Sequence, residues 1–252
     1  MPNLNEAAYL RKFLISLKNQ TDQDFEVIIV DGGSTDGSLK IVKNFVKKLR
    51  IRWIVDITRN IGFVRNVGSR YASGWLLFHT SSDVMLDPWI IANIKHQFIA
   101  DPQLISLTAR TKPVSDKILC HLAYQGFDLL RWVFTKLPGS MKKYRPGGNF
   151  FVIKRDLFCL LGGFPEVCIN EDGLLGQKMD PLLINYHVKY DLSLCVHHHV
   201  KRFEEKGSVK TILFYVYVFG NLIPMLKPLL YKIENKSAEI FKTRSDLRNF
   251  KK

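Results

Sequence analysis

The stretch VIIVDGGSTDGS, residues 27–38, passes from four branched apolar residues to acid, glycine and hydroxyl side chains. The apolar run predicts a buried strand that ends at Asp31 and places a carboxylate at the mouth of a sheet. Gly33 allows positive φ and a close approach of a ligand to the backbone. The pattern predicts a nucleotide pocket in which Asp31 accepts the N–H of a base and residues 32–34 lie along the ribose. A purely structural turn is the alternative.

Helical and extended segments alternate on both sides of this stretch. Apolar spacing predicts helices at 7–18, 38–48, 62–72 and 88–100, and strands at 25–30, 51–55, 75–79 and 104–108. Such alternation with short turns is typical of an α/β fold, with a mainly parallel sheet flanked by helices. In such sheets functional groups collect at the carboxyl ends of the strands.

The second half of the chain changes character. It predicts a helix at 118–135, a loop rich in Gly and Pro at 137–148, a strand at 150–153, and a helix at 155–161 followed by the acidic stretch NEDGLLGQKM. Further on, residues 211–226 carry no charge but are shorter than the roughly 20 residues of a spanning helix. A core or dimer helix, an interfacial helix on a membrane and a true span remain open for them.

Charge and cysteine usage restrict the partners and the compartment. The net charge of +14 indicates an anionic partner. Residues 201–252 hold 12 Lys and Arg against 5 Asp and Glu, which suits an anionic lipid surface beside the apolar stretch. No nucleic-acid motif is present, and the aromatic residues lie in apolar runs, so we expect no nucleic-acid partner. The four cysteines form no CxxC pair, which predicts small core residues and a reducing, cytoplasmic compartment.

An ordered series of motifs resembles the family 2 glycosyltransferases, which are inverting enzymes of the GT-A fold. The series comprises PNLNE, SLKNQ, the strand ending in DGGSTDGS, NIGFVRNVGSRYASG, SSDVMLDP and GGNFFVIKRDLFCLLGGFPE with a following ED. The resemblance covers residues 2–207 and implies that the donor, a nucleotide-diphosphate sugar, is held by this set: Pro2, Asn5, Glu6, Asp31, Gly33, Ser34, Asn60, Gly62, Arg65, Asn66, Ser81, Ser82, Asp83, Gly148 and Lys178. The family also has an apolar strand ahead of P-x-x-N-E, whereas Met1 directly precedes Pro2 here. Either the start is trimmed or the sheet lacks a central strand.

The resemblance also implies the catalytic groups. The D-x-D motif of the family reads Ser81-Ser82-Asp83 here, so the first acid is missing and Asp83 alone keeps the metal-binding position. In the run of three histidines, His197, His198 or His199 could complete the metal shell, and a surface tract is the alternative. We favour His199, and oxygen ligands suit Mn²⁺ or Mg²⁺. The E-D pair makes Asp172 the general base, with Glu171 beside it.

Together these residues predict a glycosyltransferase that moves one sugar from a UDP- or GDP-sugar to a sugar or lipid-linked acceptor. Residues 1–207 would form the catalytic domain, with a nucleotide-binding half (1–110) and an acceptor-binding half (111–207). Residues 208–252 would form a basic helical segment that contacts a membrane peripherally or a second subunit. A catalytically inactive nucleotide-binding relative and a basic nucleic-acid-binding protein are the alternatives.

Overall fold

The computed structural model describes residues 1–58, 60–167 and 170–200. The predicted C-terminal segment, including the charge-free stretch 211–226, lies outside these residues. Within the described ranges, no helix has both the length and the apolar character needed to cross a membrane.

The opening strand of the sequence analysis is confirmed and lies in the centre of a three-stranded sheet. All five residues of β2 (Val27–Asp31) are buried, and β1 (Pro2–Asn3) and β3 (Ile51–Val55) pair with it in parallel. A strand covered on both faces takes a continuous run of branched apolar residues, because no side chain faces water. Only the two residues of β1 lie on the side where the family resemblance predicts an apolar strand.

The remaining elements follow the predicted alternation closely. The helices are α1 (Ala7–Lys18), α2 (Ser38–Lys43), α3 (Ile61–Arg70), α4 (Ile90–Ala100), α5 (Ile118–Lys136), α6 (Arg155–Leu160) and α7 (Glu171–Met179). The other strands are β4 (Leu76–His79), β5 (Val84–Leu86), β6 (Leu104–Val114), β7 (Phe151–Lys154) and β8 (His187–His199). The helix predicted at 38–48 ends at Lys43, and the three-residue β5 is too short to give a periodic pattern.

A second sheet of five strands has the order β4-β7-β6-β8-β5. Its β6–β8 pair is parallel and its other three pairs are antiparallel, so this second sheet is mixed. The fully parallel sheet is the three-stranded one around β2. Strand β6 crosses the boundary predicted after residue 110, and the two proposed halves therefore share a strand.

The main hydrophobic core lies between the two sheets and the helices that cover them. It includes Phe13 of α1, Ile29 of β2, Ile90 of α4, Leu107 of β6 and Val196 of β8, all between 0 and 1% exposed. Fully burying a side chain of this size stabilises the fold by about 1.5–3 kcal/mol. This packing fixes the strand ends on which the polar site is built.

The cysteines only partly follow the sequence prediction. Cys120 is buried and packs with Tyr124 and Val200, whereas Cys159 is exposed. The prediction of a core position is therefore wrong for Cys159, which lies on the solvent side of the short helix α6.

Candidate functional site

The turn after β2 uses the carboxylate of Asp31 to hold its own backbone. Oδ1 of Asp31 accepts from Asn3 Nδ2 at 2.7 Å and Ser34 Oγ at 2.5 Å, and Oδ2 accepts from the backbone N–H groups of Gly33 at 3.1 Å and Ser34 at 2.8 Å. Gly33 has a φ of +88°, as the sequence predicts. A carboxylate has about four acceptor positions, so these four donors occupy its capacity. A nucleotide base can contact Asp31 only by replacing one of them.

The loop after β1 is tied to this turn. The backbone N–H of Asn5 donates to Ser34 Oγ at 2.9 Å, and Asn5 Oδ1 accepts from the backbone N–H of Thr35 at 2.9 Å. Asn5 has a φ of 52°, which an asparagine tolerates better than most residues. Pro2 lies opposite Val30 in the β1–β2 pair. The backbone carbonyl of Glu6 accepts hydrogen bonds from N–H groups in the first turn of α1. These contacts bring the start of α1 beside the end of β2.

Asp83 lies directly before β5 and is paired with a histidine of β8. Its Oδ2 is 3.2 Å from His198 Nε2, and its Oδ1 is 2.5 Å from Ser81 Oγ. Burial works against ionisation of Asp83, but the charge of His198 and the hydrogen bonds from His198 and Ser81 outweigh it and lower the pKa to about 2. Asp83 is therefore an anion at neutral pH.

The three histidines at the end of β8 face different neighbours. His198 Nδ1 lies 2.9 Å from the hydroxyl of Tyr124 on α5, while His197 Nε2 is 3.5 Å from Asp87. The ring of His199, the predicted ligand, lies 4.9 Å from that of Tyr9, and the backbone N–H of His199 donates to the backbone carbonyl of Asp83.

The donor set can be tested against the predicted metal. Within the described ranges, no three His, Cys, Asp or Glu side chains are close enough together to hold a metal ion by themselves. Asp83 and His198 supply one carboxylate and one imidazole, which fits a Mn²⁺ or Mg²⁺ ion that takes its other ligands from phosphate and water. The residues therefore fit a metal shared with a bound diphosphate, with His198 as the nearest histidine.

The segment after α5 connects Asp83 with the predicted base. Ser81 Oγ lies 3.2 Å from Asn149 Oδ1, and Thr80 Oγ1 donates to the carbonyl of Asn149 at 2.9 Å. Next to it, a Cβ at Gly148 would lie only 3.4 Å from Asp172 Oδ2 and 2.8 Å from Arg65 Nη2. Residues 148–149 are thus close to Asp172 directly and linked to Asp83 through Ser81.

The first two residues of α7 have different environments. Glu171 is buried, and its Oε1 accepts from Arg65 Nε at 3.2 Å. Asp172 is half-buried, and its Oδ1 accepts from the N–H of Gly173 at 2.7 Å, which leaves Oδ2 directed toward Gly148. The geometry therefore distinguishes a positioning carboxylate, Glu171, from a reachable one, Asp172.

Residues of α3 hold the segment that leads into α7. Asn60 Nδ2 donates to the carbonyl of Glu166, and Asn66 exchanges two bonds with the backbone of Phe164. Gly62 is packed so closely that a Cβ there would lie 2.0 Å from the carbonyl oxygen of Pro165. The predicted donor-binding residues of α3 therefore contact protein backbone, and they position the site.

Two predicted donor-binding residues have other neighbours. The ammonium of Lys178 donates to the carbonyls of Leu161 at 3.0 Å and Gly163 at 3.4 Å, which close the turn after α6. The ammonium of Lys178 thus spans the turn after α6, and its contact with a diphosphate stays a prediction. Ser82 is buried beside Asp83.

A cavity of about 560 Å³ lies away from these acids, between β2 and β4. Its walls include Ile28 and Leu77, while Arg65 and His79 contribute polar atoms, and neither Asp31, Asp83 nor Asp172 lines it. Arg65 also lines this cavity, and we take the polar cluster at the strand ends as the candidate functional site.

Two residues of this cluster, Asn3 and Asn149, were not among the predicted site residues, and His198 was one of three open choices. Asn3 donates to Asp31, Asn149 lies beside Ser81, and His198 rather than its neighbours contacts the carboxylate of Asp83. Asn149 follows the predicted Gly148, and His198 lies in the predicted histidine run, so position in a motif was the available signal.

The fold and the site together define an α/β protein of the GT-A class, with an acid at the end of β2, a second before β5 and a third at the start of α7. The model of glycosyl transferase family 2 matches residues 1–156, more than half of the chain. The chain therefore belongs to glycosyl transferase family 2.

Two named glycosyltransferases are similar to parts of the chain. Validoxylamine A glucosyltransferase of Streptomyces hygroscopicus subsp. jinggangensis is 30% identical over 132 residues, which cover 51% of this chain and 28% of that protein. A PGL/p-HBAD biosynthesis glycosyltransferase of Mycobacterium bovis is 38% identical over 97 residues, which cover 37% of this chain and 38% of that protein. The chain thus spans well under half the length of these relatives.

Solved structures share the fold at low identity. TarS of S. aureus has a TM-score of 0.62 at 18% identity, over 88% of this chain and 42% of that one. The mannosyltransferase PcManGT of Pyrobaculum calidifontis, in complex with GDP-Man and Mn²⁺, has a TM-score of 0.65 at 17% identity, over 99% of this chain and 79% of that one. A fragment of TarS (1-349) is known in complex with UDP.

Proposed function

We propose that the protein transfers one sugar, with inversion, from a UDP- or GDP-sugar to an acceptor hydroxyl or a lipid phosphate. The observation that carries the proposal is that residues 148–149 lie beside Asp172 and are linked through Ser81 to Asp83. This link supports a common site for the proposed metal-binding carboxylate, Asp83, and the proposed base, Asp172. The nucleotides bound by TarS and PcManGT support the donor class.

Asp172 and Arg65 have different parts in the proposed reaction. The acceptor oxygen attacks the anomeric carbon from the face opposite the diphosphate, while Asp172 Oδ2 takes the hydroxyl proton. The bond from the anomeric carbon to the diphosphate oxygen breaks, and the diphosphate leaves with the electron pair. Arg65 holds the Gly148 carbonyl at 3.0 Å and Glu171 at 3.2 Å, which fixes Asp172 relative to that segment.

Asp83 and His198 are the residues that would hold Mn²⁺ or Mg²⁺ against the leaving diphosphate. When bound, the metal would neutralise the charge that develops on the two phosphates. A carboxylate binds the metal as the anion and a histidine as the neutral imidazole, and both side chains can take these forms at neutral pH. His199 remains the ligand predicted from the sequence, and its position beside Asp83 through the backbone is compatible with a place in the same shell.

The acceptor part of the proposal rests on charge. The excess of +14 and the basic residues beside the stretch 211–226 favour an acceptor at an anionic surface, such as a lipid-linked sugar or phosphate. We place the reaction at the cytoplasmic face of a membrane.

The test combines nucleotide binding with turnover. Thermal shift of the full chain is measured with UDP, GDP and CDP, each with and without Mn²⁺, and diphosphate release is followed from a panel of nucleotide sugars. A nucleotide at one hundred times its Kd should stabilise the fold by about 2.7 kcal/mol. Asp172→Asn should lower turnover at least about 100-fold with unchanged nucleotide binding, because only the base is lost.

The matched control is Asp156→Asn, at a fully exposed carboxylate on α6. If no nucleotide stabilises the chain, the proposed function fails. If Asp172→Asn turns over like the control, the base assignment fails.

A second candidate is a nucleotide-binding relative without turnover. It is favoured by Ser81, which replaces the first acid of D-x-D and gives Asp83 only a neutral hydrogen bond. Nucleotide-dependent stabilisation without diphosphate release from any donor would support this candidate.

A further inference from the structure

Helix α5 has its polar and apolar faces reversed relative to an ordinary surface helix. The residues that it buries against β6 and β8 are Cys120, Tyr124, Asp128 and Thr135. The polar ones among them have partners: Tyr190 donates to Asp128 at 2.5 Å, and Tyr124 lies 2.9 Å from His198. A surface helix normally turns its apolar side inward. Helix α5 departs from this pattern because it buries polar side chains, and its exposed face departs from it as well.

The outward face of α5 is rich in aliphatic side chains. Its exposed apolar side chains, with their exposed fractions, are Ile118 (76%), Leu119 (42%), Leu122 (57%), Leu129 (59%), Leu130 (44%) and Val133 (37%), and Gln125, Gly126 and Lys136 are exposed beside them. Ile118, Leu122, Leu129 and Val133 follow one line along the helix, and at 1.5 Å per residue this line is about 22 Å long. Contiguous apolar surface of this extent marks a contact site. We refer to these six side chains as the α5 apolar face.

Basic residues frame the α5 apolar face. Lys117 and Lys136 lie at its two ends and are exposed, and Lys142 and Lys143 follow in the next loop. From residue 110 to 145 the chain has eight Lys and Arg and two acids. Of these cations, Arg145 is buried against Asp180, Lys143 lies 3.5 Å from the same carboxylate and Arg131 lies beside the buried Asp128, so Lys136 and Lys142 are the clearest cations beside the face. An apolar stripe beside cations is the pattern of a helix that lies in the interface of an anionic bilayer.

The same charges argue against a second copy of the chain as the occupant. A two-fold dimer places the same patch of both subunits together, so the lysines at the ends of α5 would meet further cations. A bilayer rich in anionic headgroups instead supplies the opposite charge along both sides of the stripe.

The position of α5 relative to the site agrees with a lipid contact. Tyr124 connects α5 to His198 and through it to Asp83. Val200, the last described residue, packs against Cys120 and Tyr124 of α5.

We propose that the α5 apolar face is the surface by which this protein docks on an anionic lipid bilayer. The inference deepens the proposed function and rests on it in one respect: the docked orientation would present the site to a lipid-linked acceptor. Docking itself depends only on the side chains of α5 and the lysines around it.

Flotation of the full chain with vesicles tests the proposal. Vesicles of phosphatidylcholine with phosphatidylglycerol are compared with vesicles of phosphatidylcholine alone. We expect binding to the anionic vesicles that weakens as salt is added, because the lysine contribution is screened. The variant Leu122→Ser/Leu130→Ser should bind them about ten-fold more weakly, since it removes apolar area from the centre of the face.

The matched control is Leu160→Ser/Ile184→Ser, which changes two aliphatic side chains that are 83% and 78% exposed elsewhere on the surface. It should bind vesicles like the unaltered chain. Equal binding by the α5 variant and the control overturns the proposal, and so does the absence of binding by the unaltered chain. A concentration-dependent dimer that only the α5 variant abolishes would also overturn it, in favour of a second copy.

Nucleotide binding separates this inference from the proposed function. The α5 variant should keep the nucleotide-dependent thermal shift of the unaltered chain. An Asp83→Asn variant should lose the metal-dependent part of that shift and still float with anionic vesicles. Vesicle binding without any nucleotide effect would thus contradict the proposed function alone, and the reverse would contradict the docking surface alone.

Discussion

Arg65 Nε on α3 lies 3.2 Å from Glu171 Oε1 at the start of α7, and the two side chains are only 5% and 9% exposed. The same guanidinium donates to the carbonyl of Gly148 at 3.0 Å. One side chain thus connects three segments that are far apart in sequence. The position of Asp172, the next residue after Glu171, depends on this connection.

Replacing Arg65 should therefore cost more stability than replacing an exposed arginine. Arg65→Met leaves Glu171 buried without its cation, and breaking a buried pair in this way costs about 3–5 kcal/mol. The double variant Arg65→Met/Glu171→Met should recover most of that loss, because no buried charge is left unpaired. Urea unfolding measures all three free energies. The control is Arg50→Met, whose partner Asp24 is exposed and whose loss should leave the stability unchanged.

Gly62→Ala should destabilise the protein and disturb the segment before α7. A Cβ at this position would lie 2.0 Å from the carbonyl oxygen of Pro165, so backbone must move. Overpacking of this kind typically costs about 1–3 kcal/mol. Gly126→Ala is the matched control, because a Cβ there meets nothing within 4 Å in helix α5 and should stabilise by up to about 1 kcal/mol. Thermal unfolding that shows equal effects for both variants would contradict this packing.

The pH dependence of stability should contain a contribution from His79. Burial, with the nearby charges of Arg65 and the amino group of Met1, holds the pKa of His79 well below 6.5. The unfolded chain therefore binds a proton that the folded chain refuses, and stability falls as pH drops below about 6.5, by at most about 1.4 kcal/mol per pH unit. The stability that His79 contributes is fully present above that pH.

His79→Phe should remove this dependence. Phe151, Phe158 and Phe164 surround the ring, and among the described residues Nε2 has no hydrogen-bond partner. The variant should be more stable below pH 6.5 and show a flatter pH profile in urea unfolding. His96→Gln, at an exposed position, is the control and should keep the profile of the unaltered chain. An unchanged slope in His79→Phe would show that another group titrates.

Metal should act through the nucleotide and through Asp83. We expect Mn²⁺ to increase the thermal stabilisation given by the preferred nucleotide, and EDTA to remove that increase, because the diphosphate completes the metal shell. Asp83→Asn should remove the metal-dependent part, whereas Asp87→Asn, four residues on, should keep it. A metal-dependent increase that survives in Asp83→Asn would exclude Asp83 as a ligand.

The sequence by itself determined the local elements and the order of the motifs. The branched run at 27–30, the positive φ at Gly33 and the helical spacing at 7–18 are short-range properties, and the structure confirms each. The three-residue β5 was not predictable in this way, because it forms by pairing with the distant strand β8.

Only the tertiary structure decided what each polar residue touches. It engages Asp31 in its own turn, assigns Glu171 to Arg65, and brings His198 instead of His199 to the carboxylate of Asp83. The residues of a motif such as HHH or ED are adjacent and chemically similar, so the sequence does not show which of them makes a given contact. Which of them faces a charge 100 residues away is fixed by strand register and helix packing, and these are set by the whole core at once.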